Sequence, residues 1–156
     1  MKKIDLNKLR DKAYKTACEH GLHDQELSNE HCLCLVISEL MKAVEADRKR
    51  KYFKGKIMFE RDFNLYSALV EENVRYRNAF EKHIKDTVGD KLADTVIRLL
   101  DLAGLRNLNL NRFALVNVVS KKKTFTENIH SIVKDITNYK YTLEELVNYA
   151  ITQVFV

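Results

Sequence analysis

The sequence contains no proline and no tryptophan, and glycine accounts for only 4 of its 156 residues. A β-sheet protein of this length normally needs more turn-forming residues, so the composition favours helices. No apolar run approaches the ~18 residues that a membrane-spanning helix needs, and no membrane partner is predicted. The N-terminal segment MKKIDLNKLR has no apolar stretch, so we predict no secretory signal peptide.

Cysteine is scarce and unpaired in its spacing. The three cysteines are Cys18, Cys32 and Cys34. An odd number with no regular spacing argues against a disulfide framework and is typical of a reducing cytoplasm. No C-x-x-C or H-x-x-x-H pattern joins them to the nearby histidines, so the sequence predicts no zinc site.

Positive charge is in slight excess, with 27 Lys and Arg residues against 22 Asp and Glu residues. The densest basic runs, Arg48–Lys51 and Lys121–Lys123, are predicted to lie at helix ends or in loops, where cations suit the helix C-terminus. A basic groove for nucleic acid is one interpretation of these runs, but a solvated surface is the simpler one. The glycine-rich motifs and interleaved aromatic residues of RNA-binding modules are missing, so nucleic acid is not favoured as a partner.

Helical spacing of apolar residues predicts an all-α fold in one domain covering residues 1–156. We expect a bundle of about five to seven helices around a central antiparallel pair. The predicted helices are Asp5–His20, Ser28–Arg50, Asn64–Ile84, Val88–Leu105, Thr126–Asn138 and Thr142–Val154. Gly21 could supply a left-handed cap after the first helix. Thr142 and Glu145 form a capping-box pattern at the start of the last helix.

Two segments allow more than one interpretation. Arg112–Val119 is apolar and could be a helix or a strand, with helix favoured by the rest of the chain. Segment 52–86 is rich in Tyr and Phe, and its first part, Tyr52–Asp62, is predicted to be a loop. These aromatic residues either pack over the bundle or form a lid or base-stacking surface above a substrate site.

The Ser28–Arg50 helix contains one charge in an apolar setting. Leu33, Ile37, Leu40 and Val44 form one apolar stripe, and the opposite face is also mostly apolar. A helix that is apolar nearly all round belongs inside a bundle, so we expect Glu39 to be at least half buried. A buried carboxylate requires a partner, a proton or a metal ion.

The Val88–Leu105 helix presents further carboxylates. Asp90, Asp94 and Asp101 fall within ~40° of one another around the helix axis, with Arg98 close by. One interpretation is an exposed acidic stripe with an Asp94–Arg98 ion pair. The other pairs this stripe with Glu39 to hold Mg²⁺, a hard ion that prefers oxygen ligands.

The two segments ISELMKAVEADRKR and VGDKLADTVIRLLDLAGL resemble the MazG-like branch of the all-α nucleoside triphosphate pyrophosphohydrolases. The resemblance covers Asn29 to Leu110, and its most specific part is KLAD followed by VIRLLDLAG. It implies an all-α homo-oligomer that uses Mg²⁺ to hydrolyse a nucleoside triphosphate to a monophosphate and pyrophosphate. In that family an E-x-x-E pair on one helix and an E-x-x-D pair on another hold the metal.

Only half of that ligand pattern is present. Glu39 and Asp94 match it, whereas Lys42 and Lys91 stand where two glutamates are expected. The resemblance thus assigns metal ligation to Glu39 and Asp94. Asp90 and Asp101 lie on the same stripe as Asp94 and are candidate auxiliary ligands. As cations beside this site, Lys42, Lys91 and Arg98 are expected to contact the phosphates. Alternatively, the Glu39–Lys42 and Lys91–Asp94 pairs join into an ion-pair network. The chain would then be a catalytically inactive homologue that binds nucleotide or only its own subunits.

Overall fold

The computed structural model describes residues 4–111, 121–138 and 140–155, and in these ranges its regular secondary structure is helical. The helices are α1 (Leu6–Glu19), α2 (Asn29–Arg48), α3 (Lys56–Asn64), α4 (Glu72–His83), α5 (Val88–Leu105), α6 (Phe125–Ile136) and α7 (Leu143–Phe155). No strand occurs among the described residues, which confirms the predicted all-α fold. The segment Arg112–Val119, predicted as helix or strand, lies outside the described ranges.

Helices α2 and α5 form the central antiparallel pair, as predicted, and make the most extensive contact between any two of the described helices. Hydrogen bonds connect the two helices at both ends of the pair. The Lys51 carbonyl after α2 accepts a hydrogen bond of 2.9 Å from the Val88 amide at the start of α5. At the other end, the Arg106 guanidinium donates to the Leu27 carbonyl at 2.6 Å and to the Asn29 side chain at 2.8 Å.

The apolar core lies between this pair and the two C-terminal helices. α6 packs on α2, while α7 packs on both α5 and α6. The largest fully buried side chains come from three of these helices and the turn after α5, and they are Leu40, Leu99, Leu102, Leu110 and Ile151. The burial of Leu40 and Leu99 places the inward faces of α2 and α5 against the same core.

Helix α1 covers another side of α5 and approaches it closely at one glycine. A Cβ atom added to Gly104 would lie 2.4 Å from the Tyr14 Cβ atom, so only glycine fits at this crossing. Near the end of α1, Gly21 has a φ of +73°, the left-handed conformation expected of a helix-terminating glycine.

Side-chain caps define where several helices begin. Ser28 and Thr87 each accept a hydrogen bond from the first-turn backbone of α2 and α5, respectively. The predicted capping box at the start of α7 is confirmed, because Thr142 Oγ1 accepts from the Glu145 amide and the Glu145 carboxylate accepts from the Thr142 amide. A second capping box, Thr124 with Glu127, starts α6.

The aromatic segment differs from the prediction. The Tyr52–Asp62 loop is wrong from Lys56 onward, where α3 begins, and the predicted Asn64–Ile84 helix starts only at Glu72. Phe59 and Phe63 of α3 pack against Tyr76 of α4. This inter-helix contact stabilises a helix of nine residues, too short to show clear periodicity on its own.

The aromatic residues also do not pack over the bundle. Among the described helices, α3 and α4 contact only each other, so the segment forms a separate α3–α4 hairpin joined to α2 and α5 at its base. None of the described helices is both long enough and apolar enough to cross a membrane.

Candidate functional site

Glu39 lies on the face of α2 that points into the protein. Its side chain is 8% exposed, and Val36, Leu40 and Ala43 around it are completely buried. The prediction of burial is therefore confirmed. Its Oε1 atom accepts a hydrogen bond of 3.1 Å from Lys42 Nζ, one helical turn further along α2.

The other carboxylate oxygen of Glu39 is unsatisfied. Oε2 is buried and has no hydrogen-bond partner among the described residues. From α5, Arg98 Nε approaches no closer than 3.9 Å to Oε1, which is an ion pair without a hydrogen bond. A buried carboxylate oxygen without a donor is costly, so this position favours a cation or a proton.

Lys91 on α5 stands among three carboxylates. Its Nζ atom lies 3.2 Å from Asp86, 3.4 Å from Asp90 and 3.5 Å from Asp94. Burial acts to lower the pKa of Lys91, but the three carboxylates outweigh it and raise the pKa. Lys91 therefore stays charged and holds these acids together.

The charge of Glu39 on α2 acts on Asp94 on α5, and the α2–α5 surface around these two acids is termed the groove. Burial raises the pKa of Asp94, and the negative charges of Asp90 and Glu39 raise it further, against the opposing effect of Lys91. The Asp94 side chain is 40% exposed, so the groove is open to solvent at Asp94 and closed at Glu39. The structure thus brings together Glu39, Asp94, Asp90, Lys42, Lys91 and Arg98.

Asp101 is used elsewhere. Its Oδ1 atom lies 2.6 Å from His23 Nε2, and both side chains are largely buried. Seven residues separate Asp101 from Asp94, which corresponds to roughly 10 Å along the helix axis. Asp101 therefore secures the loop between α1 and α2 and lies away from the groove.

The groove supplies few of the oxygen ligands that a Mg²⁺ site requires. Glu39 and Asp94 offer the oxygen ligands that Mg²⁺ prefers. Among the described residues, however, no group of three or more His, Cys, Asp and Glu side chains is arranged to hold a metal ion. Lys42 is 54% exposed and can swing away from Glu39, whereas Lys91 is 17% exposed and is held by its three acids.

Glu45 is another acid on the C-terminal half of α2, and it is paired with basic residues of its own helix. Arg48 and Lys49 donate hydrogen bonds to it and lower its pKa to about 2. Glu45 is therefore not available to replace the ligand missing at Lys42.

Sequence reasoning missed two partners of the predicted site residues. Asp86 contacts Lys91 from the turn before α5, and His23 pairs with Asp101. The sequence offers one signal for Asp86, its i, i+4 spacing from Asp90. It offers none for His23, because its partner is 78 positions away.

Comparison of the chain with protein-family models, curated proteins and solved structures gave no match in any of the three.

Proposed function

We propose that this protein is a MazG-like nucleoside triphosphate pyrophosphohydrolase with a weakened metal site, which converts a nucleoside triphosphate to a monophosphate and pyrophosphate. The observation that carries this proposal is the buried Oε2 atom of Glu39, which has no hydrogen-bond partner among the described residues and belongs to a carboxylate whose charge acts on Asp94. A bound Mg²⁺ ion would supply charge neutralisation along the phosphate chain.

The groove residues have distinct roles in this proposal. Glu39 and Asp94 hold the ion, with Asp90 as an auxiliary acid. Lys42, with its exposed ammonium group, and Arg98 contact the phosphate oxygens as point charges. Lys91 positions Asp90 and Asp94 and limits how tightly they bind a cation, because its own charge occupies their oxygens.

A second candidate is supported by the same ion pairs. The 3.1 Å contact from Lys42 to Glu39 and the contacts from Lys91 to its three acids satisfy most of the charge without any metal. On this proposal the chain is a catalytically inactive homologue that binds nucleotide or its own subunits. Burying charges in such a network is compatible with a stable fold.

We further propose that the protein is cytoplasmic and forms a homo-oligomer. The described cysteines are free thiols, which is compatible with the cytoplasm. Ile57 and Leu69 on the α3–α4 hairpin are 84% and 83% exposed, and such apolar side chains suit a homo-oligomer interface. Light scattering coupled to size-exclusion chromatography tests this, and a monomer at all concentrations would contradict it.

Pyrophosphate release by the purified protein separates the two candidates. Each nucleoside and deoxynucleoside triphosphate should be tested with Mg²⁺ and with Mn²⁺. We expect slow turnover that Glu39→Gln abolishes and that Lys42→Glu/Lys91→Glu accelerates. The matched control is Lys8→Glu/Lys12→Glu, which makes the same charge change on exposed positions of α1.

Two further outcomes would decide against an active natural enzyme. No turnover by the natural chain, with activity in the Lys42→Glu/Lys91→Glu variant, establishes the inactive homologue. No turnover by either protein contradicts the pyrophosphohydrolase proposal.

A further inference from the structure

A second candidate site lies at the base of the α3–α4 hairpin, where the chain leaves α2 and enters α5. The structure has a cleft of about 470 Å³ there. This volume is within the range of roughly 300–1,000 Å³ usual for small-molecule sites. Among the described residues, its lining includes one carboxylate, that of Asp86, and five cationic side chains, namely Arg50, Lys51, Lys54, Lys82 and Lys85.

Most of this positive charge is uncompensated. Lys82 is paired with Asp62 at 2.8 Å. The other four cations form no ion pair with any residue in the described ranges. This contrasts with the groove, where each cation has an acidic partner.

Asp86 does little to neutralise the cleft. Its carboxylate already binds Lys91 at 3.2 Å, outside the cleft lining. The Lys91 hydrogen bond lowers the pKa of Asp86 against the effect of burial, and the charges of Lys51 and Lys85 lower it further. Lys51 and Lys85 both line the cleft, and both act on the charge of Asp86 within it.

A cleft lined by charges of one sign concentrates the electrostatic potential within it. Four unpaired cations that converge from two chain segments suit an anion with several adjacent charges. Lysine is a common phosphate ligand. A nucleic acid would instead require a track of cations along an extended surface. We propose that this cleft binds an oligophosphate, an anion with two or more linked phosphate groups, and that it does so without a metal ion.

This inference does not depend on the proposed pyrophosphohydrolase function, because none of the five cations belongs to the Glu39–Asp94 groove. The oligophosphate has two possible sources, an inorganic chain or the phosphate tail of a nucleotide. Tyr52 also lines the cleft and is half exposed, so it is available to a nucleoside attached to the phosphates.

Isothermal titration calorimetry in the presence of EDTA tests the proposal. The ligands are tripolyphosphate, ATP, orthophosphate and citrate, at the physiological ionic strength of about 0.15 M. We expect saturable binding of tripolyphosphate with one site per chain, and weaker binding of orthophosphate and citrate. ATP that binds more tightly than tripolyphosphate indicates a nucleotide, and equal affinity indicates recognition of the phosphate chain alone.

Three variants locate the site. Lys51→Gln/Lys85→Gln should weaken tripolyphosphate binding at least about tenfold, because each lost charge-assisted hydrogen bond is worth a factor of this order. Asp86→Asn should strengthen it by removing the only carboxylate among the described lining residues, and asparagine tolerates the φ of +62° at this position. Lys8→Gln/Lys12→Gln on α1 is the matched charge control and should have no effect.

Several results would overturn the proposal. These are the absence of saturable binding, equal affinity for citrate and tripolyphosphate, or an affinity that Lys51→Gln/Lys85→Gln leaves unchanged. Glu39→Gln should bind tripolyphosphate normally in EDTA. Loss of binding in that variant would instead move the oligophosphate site to the groove, so this inference and the proposed function fail in different experiments.

Discussion

The α2–α5 groove and the α3–α4 hairpin both surround carboxylates with cations, but they satisfy them to different degrees. In the hairpin, Asp62 receives contacts from Lys82 at 2.8 Å and His83 at 2.6 Å. These hydrogen bonds hold the pKa of Asp62 well below its usual range. In the groove, burial raises the pKa of Asp94, and one oxygen of Glu39 has no donor among the described residues.

This difference indicates that the cluster around Asp62 is structural, whereas the groove acids can still bind a ligand. The hairpin acid is fully used to join α3 to α4, so it has little reason to take a ligand. In the groove, the Oε2 atom of Glu39 is buried and receives no hydrogen bond from the described residues. Unsatisfied polar groups in a well-packed region are typical of functional sites.

The largest expected difference between the two regions is in how much side-chain packing contributes to the free energy of unfolding. Leu99→Ala removes a fully buried side chain from the shared core and should lower the free energy of unfolding by about 2–5 kcal/mol. Phe63→Ala in the half-buried hairpin should have a smaller effect on global unfolding, because α3 and α4 contact none of the other described helices. Urea denaturation followed by circular dichroism measures both. Equal losses would show that the hairpin unfolds with the core.

Alanine substitutions at two glycines should destabilise the core and the hairpin for different physical reasons. Gly104→Ala places a Cβ atom 2.4 Å from Tyr14 and should destabilise the core by about 1–3 kcal/mol through overpacking. Gly55→Ala meets no neighbouring atom, and its cost comes only from the φ of +116° at the start of α3, about 1–3 kcal/mol confined to the hairpin.

The control for both is Gly89→Ala, in the first turn of α5. The nearest atom to an added Cβ there is 4.0 Å away, so alanine fits without a clash. Alanine also reduces the conformational entropy of the unfolded chain, which should stabilise the protein slightly. Thermal unfolding of the three variants gives the comparison. A Gly104→Ala variant as stable as the natural chain would contradict the close α1–α5 crossing.

The smallest predicted effect is opposite pH dependence in the two regions. Asp62 has a lowered pKa when folded, so it contributes stability above its unfolded pKa of about 3.9 that is lost as the pH falls further. Asp94 has a raised folded pKa, so its ionised form costs stability at neutral pH, and protonation relieves that cost.

Substitution by asparagine should reveal both signs at pH 7. Asp62→Asn should lower the midpoint of thermal unfolding, whereas Asp94→Asn should raise it. Both differences should shrink as the pH is lowered through the range in which each carboxylate takes up its proton. Shifts of the same sign in the two variants would mean that the groove acid is as well satisfied as the hairpin acid.

Sequence periodicity predicted the long helices because their burial pattern is local. The near-complete apolar surface of α2 was enough to place Glu39 inside the protein, and the i, i+3 spacing was enough to predict the contacts of Lys42 and Lys91. α3 could not be predicted in this way, since it depends on aromatic contacts with α4.

The cleft at the base of the hairpin was also beyond sequence reasoning. Arg48–Lys51 was recognised as a basic run, but Lys82 and Lys85 are more than 30 positions away and join it only through the path of the chain. Charges that converge through tertiary structure leave no periodic pattern in the sequence.

The hydrogen bond between Lys51 and Val88 also has a consequence for the order of folding. The two most extensively paired helices are separated in sequence by the whole hairpin, and closing a long flexible loop costs entropy that increases with its length. A hairpin that forms early from its own aromatic contacts brings the end of α2 next to the start of α5 and shortens that loop. The α3–α4 hairpin would then determine how fast the groove assembles, even though it contributes no side chain to it.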